Sequence, residues 1–186
     1  PMQLVLVSAC LLGERVRYHG GHAFRDDPQL AAWVRQGRVR ALCPEVMAGF
    51  GTPREPAEIE GGAGGRRVLD KTARVLARSG RDVTSEFAAG ANAAIELARA
   101  TAAQVAVLKD GSPSCASQYI ADGAFAGRRV MQEGVAAAAL RAIGLAVFNE
   151  HQIEQAFRIV ALLDSGLSIE MAKRAAAADS AADWCI

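Results

Sequence analysis

The sequence predicts an α/β protein: an open, mainly parallel, Rossmann-like sheet flanked by helices, with a C-terminal helical extension. Two observations predict it. Short apolar runs at 3–9 (QLVLVSA), 38–43 (RVRALC), 104–109 (QVAVLK) and 143–149 (IGLAVFN) each end in polar or turn-forming residues. Between them lie stretches whose apolar residues recur every three or four positions, so strands alternate with helices, and such crossovers produce a parallel sheet.

The elements follow in order. The run at 3–9 is a buried strand that feeds a glycine-containing loop, LLGERVRYHGG. The GGAGG run at 61–65 does not fit G-x-G-x-x-G and follows no strand closely, so a flexible loop is expected there. Asp82 is placed to cap a helix carrying Phe87, Ala91, Ala94, Ile95 and Ala98 on one face. Val130, Val135, Ala138 and Leu140 predict a second helix over 129–142. At 149–152, NEHQ reads as a capping box in which Asn149 caps and Gln152 reaches back. It opens a helix to 164 with Ile153, Phe157, Val160 and Ala161 on one face, and a last helix is expected near 168–179. With 186 residues and no strong linker, a single α/β domain over 1–186 is expected, its core in 3–149 and its C-terminal helices in 150–186.

Composition narrows the function. Hydrophobic residues make up 51% and charged ones 22%, which suits a packed core and not a disordered chain. The 21 basic and 20 acidic residues leave a net charge of +1, so no overall field marks a binder of large nucleic acids or of anionic membranes. No apolar run approaches the ~18 residues of a membrane span, and no basic segment followed by an apolar one opens the chain. A cytosolic location is expected. None of Lys71, Lys109 and Lys173 follows a glycine, which excludes a P-loop.

Three of the four cysteines occupy equivalent places: Cys10 just after the first strand, Cys43 at the end of the second and Cys115 in the loop after the third. Loops at the carboxyl ends of parallel strands converge on one crevice, where ligands bind. Pro44 and Pro113 stiffen two of the loops. By spacing alone, a shared metal centre and three separately buried thiols are equal readings. No closely spaced cysteine pair of the structural-zinc kind occurs, and Cys185, next to the C-terminus, is read as incidental.

Five motifs in succession then resemble one bacterial family: SACLLGERVRYHGGH at 8–22, ALCPEV at 41–46, TPREPAEI at 52–59, DVTSEFAAGA at 82–91 and LKDGSPSCAS at 108–117. Over roughly 3–149 the chain is similar to the thiouracil desulfidases. That resemblance implies a [4Fe-4S] cluster held by Cys10, Cys43 and Cys115, with one iron left without a protein ligand. It implies removal of sulfur from thiouracil as sulfide without net redox change, and it implicates Glu45 and Ser112 in handling the substrate. The partner implied is a small thiolated nucleobase or nucleoside. Two positions depart from the pattern: His19 stands where an acidic residue is expected, and Ala116 where a glycine is.

A thiocarbonyl sulfur is soft, so it suits iron acting as a Lewis acid. On this reading Glu45 is the general acid/base and Ser112 bonds to the reacting group. Turn hydrogen bonding beside Pro113 is the ordinary use of Ser112 and Ser114. Arg54 is expected to pair with Glu55 or Glu58, Lys109 carries no assigned role, and His19 and His22 are expected at the surface. Three other readings compete: a non-catalytic iron–sulfur sensor, a zinc site, and a cluster-dependent tRNA sulfurtransferase, whose SGGxDS motif is absent here.

Overall fold

A computed structural model describes residues 2–182; Cys185 lies outside them. In chain order the elements are β1 (Val5–Ser8), α1 (Pro28–Arg35), β2 (Val39–Leu42), α2 (Pro44–Met47), β3 (Ala57–Ile59), α3 (Gly65–Leu69), β4 (Val75–Ala77) and α4 (Thr84–Thr101). There follow β5 (Val105–Leu108), β6 (Ile120–Ala121), β7 (Arg129–Val130), α5 (Val135–Ala142), β8 (Ala146–Asn149), α6 (Ile153–Asp164) and α7 (Ile169–Ala182).

The four strands expected from the apolar runs form one parallel sheet in the order β2-β1-β5-β8. Successive strand residues point to opposite faces; the central strands β1 and β5 are covered on both, which is why their runs are continuously apolar, whereas the edge strand β2 leaves Arg40 and Ala41 exposed. Leu6, Ala106 and Leu108 join the core beneath α4 and α5, while Val5, Val7, Val105 and Val107 pack with Trp33, Ile153 and Ile159 on the α1 and α6 side. Each such valine, leucine or isoleucine stabilises the fold by roughly 1.5–3 kcal/mol when fully buried. The order of the strands reverses between β1 and β5, so the crevice at their carboxyl ends is a topological switch point.

Several expectations are corrected. The helix expected over 129–142 begins only at Val135, because Arg129 and Val130 pair antiparallel with Ala121 and Ile120. Long-range pairing overrides the helical spacing there. The helix after β8 begins at Ile153; Asn149 ends the strand, yet the capping exchange forms. Gln152 Oε1 accepts from the Asn149 amide at 3.1 Å and Asn149 Oδ1 from the His151 amide at 2.9 Å. Its buried face is Ile153, Ala156, Ile159 and Val160; Ala161 is exposed, and Phe157 is partly exposed with its ring stacked on Trp33. Asp82 acts as expected from one position further out, its carboxylate accepting from the amide and hydroxyl of Thr84, the first residue of α4.

The GGAGG segment is no loose loop. It makes a turn at Glu60–Gly62 and then starts α3, and the Gly65 amide donates to the Glu133 carbonyl at 2.7 Å. A Cβ on Gly65 would stand 2.2 Å from the Gly134 carbonyl oxygen, so glycine is required for close backbone approach.

Candidate active site

Cys10 lies in the turn that follows β1, Cys43 directly precedes α2 after β2, and Cys115 sits in the loop after β5. These three strands are neighbours in the sheet, so all three thiols gather at its carboxyl edge. They are free cysteines, Cys10 and Cys115 buried and Cys43 half-buried. Each lies close enough to the others to feel their charge: Cys43 acts on Cys10, and both act on Cys115.

Burial dominates their ionisation. It pushes the Cys10 thiol up to about 11, against the opposing pull of Arg17, with Cys43 adding to the rise. It raises Cys43, opposed by the Val46 amide, and it raises Cys115 well above the usual thiol range, opposed by the Ser8 hydroxyl. A thiol with a raised pKa is protonated below that value and gains thiolate only as the pH climbs toward it. Alkylation of Cys10 by iodoacetamide in cluster-free protein is therefore expected to be slow at pH 7 and to rise about tenfold per pH unit up to pH ~10. A rate at pH 7 matching that of a free thiol would contradict this.

A cavity of about 510 Å³ opens on Cys10 and Cys115, with Glu45 and Ser112 in its wall. That size is within the range of small-molecule sites. Glu45 lies in the first turn of α2. Its Oε2 accepts from Arg54 Nε at 2.5 Å and its Oε1 from the Ser114 hydroxyl at 3.1 Å. Arg54 is itself fixed, because its Nη2 donates to the Val16 carbonyl at 2.8 Å. The pairing expected between Arg54 and Glu55 or Glu58 is thus corrected: Glu45 takes the guanidinium, while Glu55 bonds Ser79 and Glu58 bonds the Phe125 amide.

The position of α2 depends on Gly90. A Cβ there would stand 2.5 Å from the Pro44 carbonyl oxygen, a backbone atom between Cys43 and Glu45. Gly90→Ala is expected to lower stability by about 1–3 kcal/mol through overpacking, read as a shifted urea midpoint. An unchanged midpoint would show that α2 yields freely.

Ser112 Oγ accepts from the amides of Ser114 and Cys115 at 3.1 and 3.2 Å. These contacts occupy its lone pairs and leave its hydroxyl hydrogen available to the cavity. Ser114, only 2% exposed, is the serine that touches Glu45; no sequence signal separates the two. Lys109 Nζ pairs with Glu150 Oε1 at 2.6 Å at the cavity's edge. His19 and His22 are exposed, as expected, and each caps its own loop by accepting an amide two residues on. Arg17, Arg78 and Arg129 also line the cavity, and among the described residues none of them is ion-paired.

The donor set discriminates among inorganic groups. Among the described residues no three Cys, His, Asp or Glu side chains close around a single ion. A cubane presents separate irons at its corners and so accepts thiols that surround a larger volume. Among the described residues three thiols gather without a fourth, which would leave one corner open, and they fit a [4Fe-4S] cluster better than mononuclear zinc.

Fold and site together define a parallel α/β protein whose ligand cavity, at the sheet's carboxyl edge, is built from thiols, an arginine-gripped carboxylate and a serine-bearing loop. The chain belongs to the 2-thiouracil desulfurase family, whose model matches residues 5–152. It is similar to the uncharacterized protein YbbK of Bacillus subtilis (strain 168), 40% identical over 150 residues that make up 81% of this chain and 97% of that one. It is also similar to a solved [4Fe-4S]-dependent thiouracil desulfidase, TudS, with a TM-score of 0.78 and 41% identity over 86% of this chain and 99% of that one.

Proposed function

We propose that this chain is a [4Fe-4S]-dependent thiouracil desulfidase, converting a thiolated uracil and water into uracil and hydrogen sulfide without net redox change. Cys10, Cys43 and Cys115 would hold the cluster. When bound, it supplies a Lewis-acidic iron with no protein ligand, suited to a soft thiocarbonyl sulfur. The observation that carries this reading is that Glu45 and Ser112 share one cavity with two of the three thiols.

The residues divide the work. Glu45 takes the proton from the water that attacks the ring carbon and passes it on toward the departing sulfur. Arg54 and Ser114 hold its two oxygens, so the carboxylate is oriented before substrate arrives. The Ser112 hydroxyl donates to the charge that develops during attack. The carbon–sulfur bond breaks, a carbon–oxygen bond replaces it, and both water protons are accounted for in hydrogen sulfide. Arg17, Arg78 and Arg129 add a positive wall, so a substituent bearing negative charge is tolerated beside the base.

Anaerobic reconstitution followed by incubation with 2-thiouracil, 4-thiouracil, 4-thiouridine and its 5′-phosphate tests the reading. One sulfide released per desulfurised product is expected, and the ratio of kcat/KM among the four identifies the preferred form. Protein that carries a full cluster and leaves all four intact would overturn the proposal.

A further inference from the structure

We infer that Asp110 is a positioning residue that sets the place of the Cys115 thiol, an inference that rests on the reading of Cys115 as a cluster ligand. Asp110 lies two residues beyond the end of β5 and is 3% exposed, yet no cation is paired with it among the described residues. Its Oδ1 accepts the amides of Gly111, Ser117, Gln118 and Tyr119 at 3.1, 3.2, 3.1 and 3.2 Å. The segment that carries Cys115 is thus wrapped around one buried carboxylate oxygen. The other oxygen accepts from Asn149 Nδ2 at 3.3 Å, and the same nitrogen reaches Ser117 Oγ at 3.1 Å.

The opposite side of the loop is held by the start of α5. The Val135 amide donates to the Pro113 carbonyl, and the Ala136 and Ala137 amides to the Ser114 carbonyl. Gly134 brings that helix in: a Cβ there would stand 2.5 Å from the Ser114 carbonyl carbon. Cys115 is therefore suspended between a carboxylate on one side and a helix terminus on the other. A cluster asks its ligand to be held at one place, because a displaced thiolate loses metal affinity steeply.

The test exploits donor–acceptor complementarity. In Asp110→Asn, either the new amide nitrogen faces Asn149 Nδ2, donor against donor, or it turns and meets the four loop amides. Neither orientation satisfies both sides. The exchange Asp110→Asn with Asn149→Asp restores one donor opposite one acceptor. Wild type and both variants are reconstituted anaerobically, then compared for iron and acid-labile sulfide per chain, the rate of cluster loss to a chelator, and the EPR spectrum of the reduced cluster.

Asp110→Asn is expected to lose its cluster about tenfold faster than wild type and to show an altered spectrum. The exchanged protein is expected to return both close to wild type. Asp110→Asn with wild-type retention overturns the inference. So does an exchanged protein that stays at the level of the single variant, whatever its melting temperature. If wild type itself takes up no cluster, the ligand reading fails first, and the inference falls with it.

Discussion

Cys115→Ser is expected to yield a chain that folds and retains no cluster after anaerobic reconstitution. Its thiol is buried among Ser8, Ala116 and the start of α5, in a loop tied down on both sides, so serine fits the volume with little strain. A hydroxyl is a harder and far less acidic donor than a thiol and binds iron poorly in its place. Cys10→Ser and Cys43→Ser are expected to behave alike, since three ligands leave none to spare. Iron and acid-labile sulfide per chain should fall by more than about tenfold in each. Cys185→Ser is the control and is expected to retain a full cluster. Retention by any of the three, or loss in the control, would overturn the ligand set.

Glu45→Gln is expected to keep the cluster and lose turnover, with kcat reduced about 10²–10⁴-fold. Glutamine has the same shape and can still accept from Ser114, but it can take no proton and offers Arg54 no counter-charge. The structural side of the change is separable from the chemical side. Arg54→Gln leaves the carboxylate in place while removing its clamp, so it is expected to cost less in kcat than loss of the carboxylate. Wild-type kcat in Glu45→Gln with a full cluster would remove the acid/base assignment.

How much of this was legible in the chain can be followed residue by residue. The runs of β1 and β5 stand out because a strand covered on both faces must be apolar throughout, and this is visible locally; β2, an edge strand, shows it less, since Arg40 and Ala41 are exposed. Their carboxyl ends located Cys10, Cys43 and Cys115 by topology, since parallel strands deliver their following loops to one edge. The short antiparallel pairs β3–β4 and β6–β7 left no such trace. Two or three residues carry no periodicity, and Val130 fits a helical pattern equally well until β6 pairs with it.

The chain by itself therefore determined the fold class, the carboxyl edge of the sheet and the three cysteines placed along it. Those properties follow from burial and connectivity, and both are written in short stretches of sequence. Tertiary structure alone decided that Arg54 grips Glu45, that Ser114 touches the carboxylate, and that Asp110 gathers the loop around Cys115. Glu45 and Ser114 are 69 positions apart. Contacts between such residues depend on where two loops cross in space, to within the few ångströms over which a hydrogen bond forms, and local sequence carries no record of that distance.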